Sequence, residues 1–343
     1  MRAVKWTDAE KLEAVEREEQ EVPLDGILLE TAACGLTDTD LKVLNGTLSS
    51  DSGFLGGQIA GVVKKAGERA AGYEEGDRIL VSRYLSCGSC RFCRSGRTNL
   101  CRNKKTFGLD LPGGLAGEIS LDGSQLENVC VTKIPGNLKF EEVCAADVAA
   151  AVYHAQQLCG IGPGMKILVL GCGPAGCMHT HLAKLRGADR IIQTDVSASR
   201  MEMARPFMAD ELLNSAQESL SDTVKAVTDG RGADVAIVAA DKPEAFGEAI
   251  EQVAPGGKIL LFSRLDEAGR AVPVDLTKLA EKQVQLVTSD GYTREDIQQI
   301  IWLAGKRKVT LKWLVTSVIE PDEWESKKAD AAEGRELRIV VHP

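Results

Sequence analysis

The segment KILVLGCGPAG, residues 166–176, decides the fold. It is an apolar strand pattern that runs straight into a glycine-rich turn and then into a helix pattern. In such a turn the first glycine makes the bend, the second lets the backbone approach a pyrophosphate, and the third lets the helix pack on the strand. The positive end of the helix then favours the phosphates. The residues predicted to form this dinucleotide site are Gly171, Gly173, Pro174, Ala175 and Gly176.

The next predicted strand ends in Asp195, nineteen residues beyond Gly176. A carboxylate at this position accepts hydrogen bonds from the adenosine ribose hydroxyls and repels a 2′-phosphate, which favours NAD over NADP. The alternative is that Asp195 only caps the helix that begins at Ser199. Arg200 is a candidate for the adenine edge, and its alternative is an exposed arginine on a helix surface.

Strands and helices alternate after the turn, so the sequence predicts a parallel, doubly wound α/β sheet of the Rossmann type. The Ala-rich segment from Glu141 to Cys159 precedes it and is predicted to be one helix, stopped by Gly160. The predicted elements are the strand Lys166–Leu170, a helix to Leu185, the strand Arg190–Thr194, a helix from Ser199, the strand Val235–Ala239, a helix to Gln252 and the strand Lys258–Phe262.

The first 140 or so residues have a different character, with many glycines and short alternating runs. Runs such as Ile59–Val63, Arg78–Val81 and Val129–Ile134 predict small antiparallel strands in a compact β-domain. The tail from Thr293 predicts one more helix and short strands that return to this domain. The predicted domains are therefore residues 1–147, residues 148–290 and a returning segment, residues 291–343.

Composition excludes several classes of protein. The chain has 343 residues, a net charge of −9 and 44% hydrophobic residues, which is typical of a globular protein. A nucleic-acid surface would need clustered Lys and Arg, so no nucleic-acid partner is expected. No signal peptide or membrane span is predicted. Six of the ten cysteines lie singly in apolar segments, so we expect a reducing cytoplasm.

Cysteines 87, 90, 93 and 101 form a quartet that predicts one structural zinc. Four thiolates on a short loop can reach tetrahedral corners around the ion and leave no position for water or substrate. The nearby arginines at positions 83, 91, 94 and 97 would offset the negative charge of such a site. The alternatives are an iron–sulfur cluster, whose common spacing ends in x3 and a proline and not in x7, and unliganded thiols.

Together these features resemble the medium-chain dehydrogenase/reductase family, and within it the zinc-containing alcohol, polyol and threonine dehydrogenases. The resemblance covers nearly the whole chain and includes Gly76-Asp77-Arg78, Ile134-Pro135 and Gly256-Gly257. It implies a GroES-like β-barrel-type domain beside the Rossmann domain. It also implies an NAD-dependent oxidoreductase that acts on a small-molecule substrate.

The chain departs from the resemblance at the ligands of the family's second, catalytic zinc. Thr37 stands where such enzymes have a Cys ligand, Gly57 where they have a His, and Gln58 where they have a Glu. The third ligand position falls near Asp147, and no histidine precedes His154. A catalytic zinc is therefore not expected, and a mixed site of Cys34, Asp38, Asp147 and His154 is the alternative.

The resemblance places Thr39 at the hydroxyl that contacts the reacting oxygen and Lys42 at the end of the proton relay. A desolvated lysine can act as an acid or base near neutral pH. The alternatives are a helix N-cap for Thr39 and an exposed surface lysine for Lys42. The role of Asp40, which steadies the ligand His in zinc-containing relatives, is left open.

Three functions follow from this pattern. The first is NAD-dependent hydride transfer on a small alcohol, polyol or carbonyl compound without a catalytic zinc. The second is transient oxidation that enables elimination or epimerisation. The third is a non-catalytic NAD-binding subunit. The resemblance also implies a homodimer or homotetramer, or a hetero-oligomer with an active relative.

Overall fold

The computed structural model describes residues 2–7, 11–263 and 271–343. In chain order the strands are β1 (Arg2–Thr7), β2 (Lys11–Glu16), β3 (Ile27–Gly35), β4 (Gln58–Ala66), β5 (Arg78–Leu85), β6 (Lys105–Thr106), β7 (Glu118–Leu121), β8 (Val129–Lys133), β9 (Lys166–Leu170), β10 (Arg190–Asp195), β11 (Glu211–Asn214), β12 (Ala233–Val238), β13 (Val253–Leu261), β14 (Gln285–Thr288), β15 (Val315–Ile319) and β16 (Arg338–Val341).

The helices are α1 (Asp38–Leu44), α2 (Arg91–Arg94), α3 (Gly123–Asn128), α4 (Phe140–Val143), α5 (Ala146–Cys159), α6 (Pro174–Leu185), α7 (Ala198–Ala204), α8 (Leu220–Thr228), α9 (Pro243–Gln252), α10 (Leu276–Glu281), α11 (Arg294–Gly305) and α12 (Trp324–Ala332). Short 3₁₀ helices cover Thr98–Leu100, Arg205–Phe207 and Pro321–Glu323. Within the described ranges, no helix has the length and apolar character needed to cross a membrane.

The chain forms two compact units. Met1–Asp147 and Tyr292–Pro343 make up the first, and Val148–Gly291 makes up the second. The C-terminal segment belongs to the first unit because β16 pairs antiparallel with β3, with Val341 opposite Cys34. This pairing places residues from the end of the chain beside residues from its beginning.

The second unit contains a six-stranded sheet in the order β11-β10-β9-β12-β13-β14, and every pair in it is parallel. The strand order reverses between β9 and β12, which is the point where open α/β sheets bind ligands. Four of the five residues of β9 are buried, as expected for a central strand covered on both faces. The predicted doubly wound parallel sheet is confirmed.

The first unit contains a larger sheet of mainly antiparallel strands. Its path is β15-β16-β3-β4-β5-β6, with β7 added beside β3 and β8 beside β5. The inward faces of these strands enclose an apolar core that includes Ile27, Leu29, Ile59 and Val81, all fully buried. The predicted β-domain is confirmed, and a separate β1–β2 hairpin lies outside the main path.

Two predicted helical regions are wrong in detail. The segment from Glu141 to Cys159 is not one helix, because a turn at Cys144 separates α4 from α5. This turn packs so tightly on β3 that a Cβ on Gly35 would lie 2.6 Å from the carbonyl oxygen of Cys144. The tail contains α12 in addition to α11. Only Trp324 of α12 is buried, so this helix has little apolar pattern to reveal it.

Candidate functional site

The glycine-rich turn has the geometry that a pyrophosphate site requires. Gly171 has a φ of +121°, which disfavours any residue with a side chain. Gly173 precedes α6 and has open space where a Cβ would be, so a ligand can approach its backbone. A Cβ on Gly176 would lie 2.0 Å from the carbonyl oxygen of Gly171, so only glycine allows this packing. Pro174 begins the helix and Ala175 follows it.

Asp195 lies beside this turn at the carboxyl end of β10. One carboxylate oxygen accepts a hydrogen bond from the backbone N–H of Cys172 (2.7 Å), and the other accepts one from Ser197 (2.9 Å). The helix cap of α7 is Ser197, whose hydroxyl accepts from the N–H of Arg200. The alternative interpretation of Asp195 as a mere helix cap is therefore wrong. Arg200 is half-buried in the first turn of α7.

The four cysteines of the quartet come together. The sulfur atoms of Cys87, Cys90, Cys93 and Cys101 all lie within 4.8 Å of one another. Backbone N–H groups of Ser89 and Cys90 lower the pKa of Cys87 to about 6, whereas burial raises the pKa of Cys93 to about 12. Four converging sulfurs without disulfides are a donor set that fits tetrahedral zinc.

The four arginines predicted to offset the charge of the quartet contact different groups. Arg91 and Arg97 lie over the ring of Phe92, at 4.5 and 5.8 Å from its centroid. Arg94 donates a hydrogen bond to the carbonyl oxygen of Ser89 (2.7 Å), inside the cysteine loop. Arg83 lies on β5, and its side chain packs against Gly57.

Thr37 is engaged in a helix cap and does not present a free hydroxyl. Its side chain donates to Asp40 (2.6 Å) and accepts from the Asp40 N–H, which forms a capping box at the start of α1. Asp40 also accepts from the backbone N–H groups of Thr37 and Gly56, both at 2.8 Å. The buried carboxylate of Asp40 therefore joins α1 to the loop before β4, which answers the question of its role.

Asp147 is also engaged. Its Oδ1 lies 2.8 Å from Nη2 of Arg338, and both side chains are at least nine-tenths buried. Arg338 also donates from Nη1 to the carbonyl oxygen of Leu36. Asp147 therefore belongs to a buried ion pair that links the start of α5 to β16.

The residues present do not fit the family's catalytic zinc. Gly57 offers no donor atom, the Thr37 hydroxyl is used by Asp40, and Asp147 is neutralised by Arg338. Gln58 is fully buried, and neither of its amide atoms has a hydrogen-bond partner in the described parts of the chain. Within those same parts, the cysteine quartet is the only His, Cys, Asp or Glu cluster with metal-site geometry.

The alternative mixed site also finds no support in the geometry. Asp38 is exposed on α1, whereas Cys34 is fully buried. Burial raises the pKa of the Cys34 thiol well above its ordinary value. Within the described ranges, Cys34, Asp38, Asp147 and His154 do not converge with metal-site geometry.

Thr39 and Lys42 lie on α1, three residues apart and therefore on the same side of the helix. Thr39 is half-buried and Lys42 is exposed. The N-cap of the helix is Thr37, so the alternative interpretation of Thr39 as the cap is wrong. Because Lys42 is exposed, the described parts of the chain do not shield its amine from water.

Sequence reasoning named Arg83 only as a charge near the cysteine quartet and did not name Arg338, whereas the structure buries Arg83 beside Gly57 and Arg338 beside Asp147. Arg83 lies within the buried part of β5, RILVSRYL, and Arg338 begins β16, RIVV, whose four residues are all buried. An arginine next to a run of apolar strand residues is the sequence feature that could have identified them. It also missed the buried hydrogen bond between Ser82 and Tyr292 (2.9 Å).

Comparisons with known proteins agree with this fold. The family model "Alcohol dehydrogenase GroES-like domain" matches residues 24–136, and the model "Zinc-binding dehydrogenase" matches residues 174–306. The chain is 30% identical to an L-threonine 3-dehydrogenase of Shewanella sp. (strain ANA-3) over 270 residues, or 77% of this chain and 75% of the relative. It is 26% identical to a sorbitol dehydrogenase of Bacillus subtilis (strain 168) over 331 residues, or 93% of this chain and 90% of the relative.

Solved structures show the same fold. A zinc-binding dehydrogenase from Sinorhizobium meliloti 1021, described as putative and bound to NADP, has a TM-score of 0.88 and 24% identity, covering 100% of this chain and 99% of that one. The 2R,3R-butanediol dehydrogenase from Bacillus subtilis has a TM-score of 0.88 and 21% identity, with the same coverage.

The chain therefore belongs to the zinc-binding dehydrogenases of the medium-chain dehydrogenase/reductase family. It is an oxidoreductase with a GroES-like domain and a Rossmann domain, as the sequence predicts.

Proposed function

We propose that this chain transfers a hydride between NAD and a small alcohol, polyol or carbonyl compound without a catalytic zinc. The observation that carries the proposal is a contrast between two sites. The dinucleotide turn is intact in every glycine and in Asp195, whereas the donors for a catalytic zinc are missing or already paired. The names of the relatives, a polyol dehydrogenase and a hydroxy amino acid dehydrogenase, support this substrate range.

NAD would be held by the turn of Gly171, Gly173 and Gly176 and by the first residues of α6. When bound, NAD supplies the nicotinamide that accepts the hydride. Asp195 would accept hydrogen bonds from the ribose hydroxyls with lone pairs that its two backbone donors leave free. One zinc in the cysteine quartet would stabilise the loop of residues 87–101 and take no part in the reaction.

The proposal is tested by assaying NADH formation over a panel of alcohols, polyols, amino alcohols and hydroxy acids, with the zinc content of the same sample measured. Turnover with one zinc per chain supports it. Turnover with two zinc ions per chain contradicts it, and NAD binding without turnover would make the chain a non-catalytic subunit. Substrate conversion without net NADH would instead indicate transient oxidation.

The cofactor preference depends on the charge of Asp195. Asp195→Asn keeps an acceptor for the Cys172 N–H but removes the charge that repels a 2′-phosphate. We expect the ratio of kcat/KM for NAD over NADP to fall about 10- to 100-fold, the scale of one hydrogen bond to a charged group. Steady-state kinetics with both cofactors measure it. Asp189→Asn, at an exposed position in the same unit, should leave the ratio unchanged.

Proton transfer is assigned to the α1 residues Thr39 and Lys42. Thr39→Val keeps the shape of the side chain and removes its hydroxyl, so we expect kcat to fall about 100-fold or more, whereas Thr39→Ser should keep most activity. Lys42→Met removes the amine at the end of the proposed relay and should lower kcat. An unchanged rate in Thr39→Val would remove this residue from the relay. Thr277→Val, at an exposed position on α10, is the control.

We also infer a cytoplasmic homodimer or homotetramer, or a hetero-oligomer with an active relative. Light scattering on the purified chain distinguishes these assemblies from a monomer.

A further inference from the structure

Arg83 lies where a relative would place a metal-binding imidazole. A Cβ built on Gly57, the position of that imidazole in the family resemblance, would lie 3.2 Å from Cβ and 3.5 Å from Nε of Arg83. The space beside Gly57 is thus filled by the stem of an arginine. Arg83 can pack here because Gly57 has no side chain.

The guanidinium of Arg83 has no anionic partner in the described chain. The residue is 8% exposed, its Nε has no hydrogen-bond partner, and it forms no ion pair within the described ranges. The guanidinium lies over the ring of Tyr84, and its central carbon is 5.1 Å from the ring centroid. A buried charge without a partner is strongly unfavourable, so an anionic ligand would stabilise this arrangement.

The nearby carboxylates do not supply that anion directly. Asp40 accepts three hydrogen bonds from Thr37 and Gly56, and Asp147 is paired with Arg338. Burial opposes the charged form of Arg83, but Tyr84 and these two carboxylates raise its pKa overall, so the guanidinium stays charged. Asp40 and Asp147 therefore favour the charged form of Arg83, but neither accepts a hydrogen bond from its guanidinium.

We propose that Arg83 binds the carboxylate of the substrate, and that the preferred substrates are small hydroxy acids or oxo acids. A planar guanidinium matches a carboxylate with two parallel hydrogen bonds, and a lysine cannot reproduce that geometry. This inference rests on the proposed hydride transfer, because binding of the carboxylate would position the neighbouring hydroxyl or carbonyl carbon for that reaction. Its test does not depend on turnover.

The experiment measures binding with matched pairs of acids and neutral alcohols: lactate with 1,2-propanediol, glycerate with glycerol, and gluconate with glucitol. Each is titrated into the full chain, with and without NADH, by calorimetry and thermal shift. We expect at least one acid to bind and to raise Tm while its neutral partner does not. In Arg83→Met the dissociation constant of that acid should rise about 10- to 150-fold, the scale of a hydrogen bond to a charged group.

Arg83→Lys keeps the charge and should recover only part of the affinity, which separates bidentate binding from simple attraction. This variant also serves if Arg83→Met does not fold. The control is Arg69→Met, at an exposed arginine of the same unit, and it should bind the acid normally. Equal binding of acids and neutral partners, binding of no acid, or unchanged acid binding in both Arg83 variants would overturn the proposal.

The two proposals can fail separately. Arg83-dependent acid binding without NADH formation from any substrate would leave this inference standing and remove the proposed hydride transfer. NADH formation from neutral polyols, with no acid bound, would do the reverse.

Discussion

We expect Arg338→Met to lower the free energy of unfolding by about 3–5 kcal/mol, because it leaves the carboxylate of Asp147 buried without its partner. The substitution also removes the hydrogen bond to the carbonyl oxygen of Leu36, so that β16 loses this side-chain link and keeps the backbone hydrogen bond from the Leu36 N–H to the carbonyl oxygen of Ile339. Denaturant titration followed by circular dichroism measures the effect. A change below about 1 kcal/mol would show that the pair is solvated in solution and does not hold the tail to the first unit.

Two further variants separate the ion pair from ordinary packing. Arg335→Met makes the same substitution three residues away, where the arginine pairs with Asp330 and Glu333 at the surface, and should cost less than about 1 kcal/mol. The double variant Arg338→Met with Asp147→Leu removes both charges. It should be more stable than Arg338→Met alone, because no buried charge remains unpaired.

The parts of the molecule that could be predicted from sequence are those set by local spacing. Strand β9, helix α6 and the turn between them follow the glycine pattern of residues 166–176, and the predicted bounds of β9 match the structure. Gly171 is favoured by its positive φ, and Gly176 by its contact with the carbonyl oxygen of Gly171 five residues earlier. The short edge strands β11 and β14 escaped prediction because each has only four residues, of which two are buried in β11 and none in β14.

The roles of the buried arginines could not be predicted, because they depend on partners far away in the chain. Arg338 meets Asp147 across 191 positions, and the meeting requires the C-terminal strand to pair with β3. Arg83 contacts Gly57 only because β4 and β5 are neighbours in the sheet. The loss of ligand types at Thr37 and Gly57 was visible in the sequence, whereas the side chain that fills the space was not.

The cysteine quartet gives the second large prediction, which concerns metal content and stability together. The wild-type chain should contain one zinc, and Cys93→Ser should contain none, because three thiolates and a hydroxyl bind zinc far more weakly than four thiolates. Cys93 is chosen because its sulfur lies 3.5 Å from that of Cys90 and 3.9 Å from that of Cys87. Elemental analysis of the purified proteins measures the change.

Loss of the ion should also unfold the loop of residues 87–101, whose helices are single turns with no buried apolar residue to hold them. Binding energy at a structural zinc site is folding energy, so we expect a loss on the order of 5 kcal/mol and rapid proteolysis within this loop. Cys130→Ser, at a buried lone cysteine, is the matched control and should keep its zinc. Iron with visible absorbance would identify a cluster, and four freely titratable thiols without metal would mean that the quartet holds no ion. Zinc that remains bound in Cys93→Ser would show that a metal binds elsewhere in the chain. The proposal of a reaction without a catalytic zinc near Thr37, Gly57 and Asp147 would then be wrong.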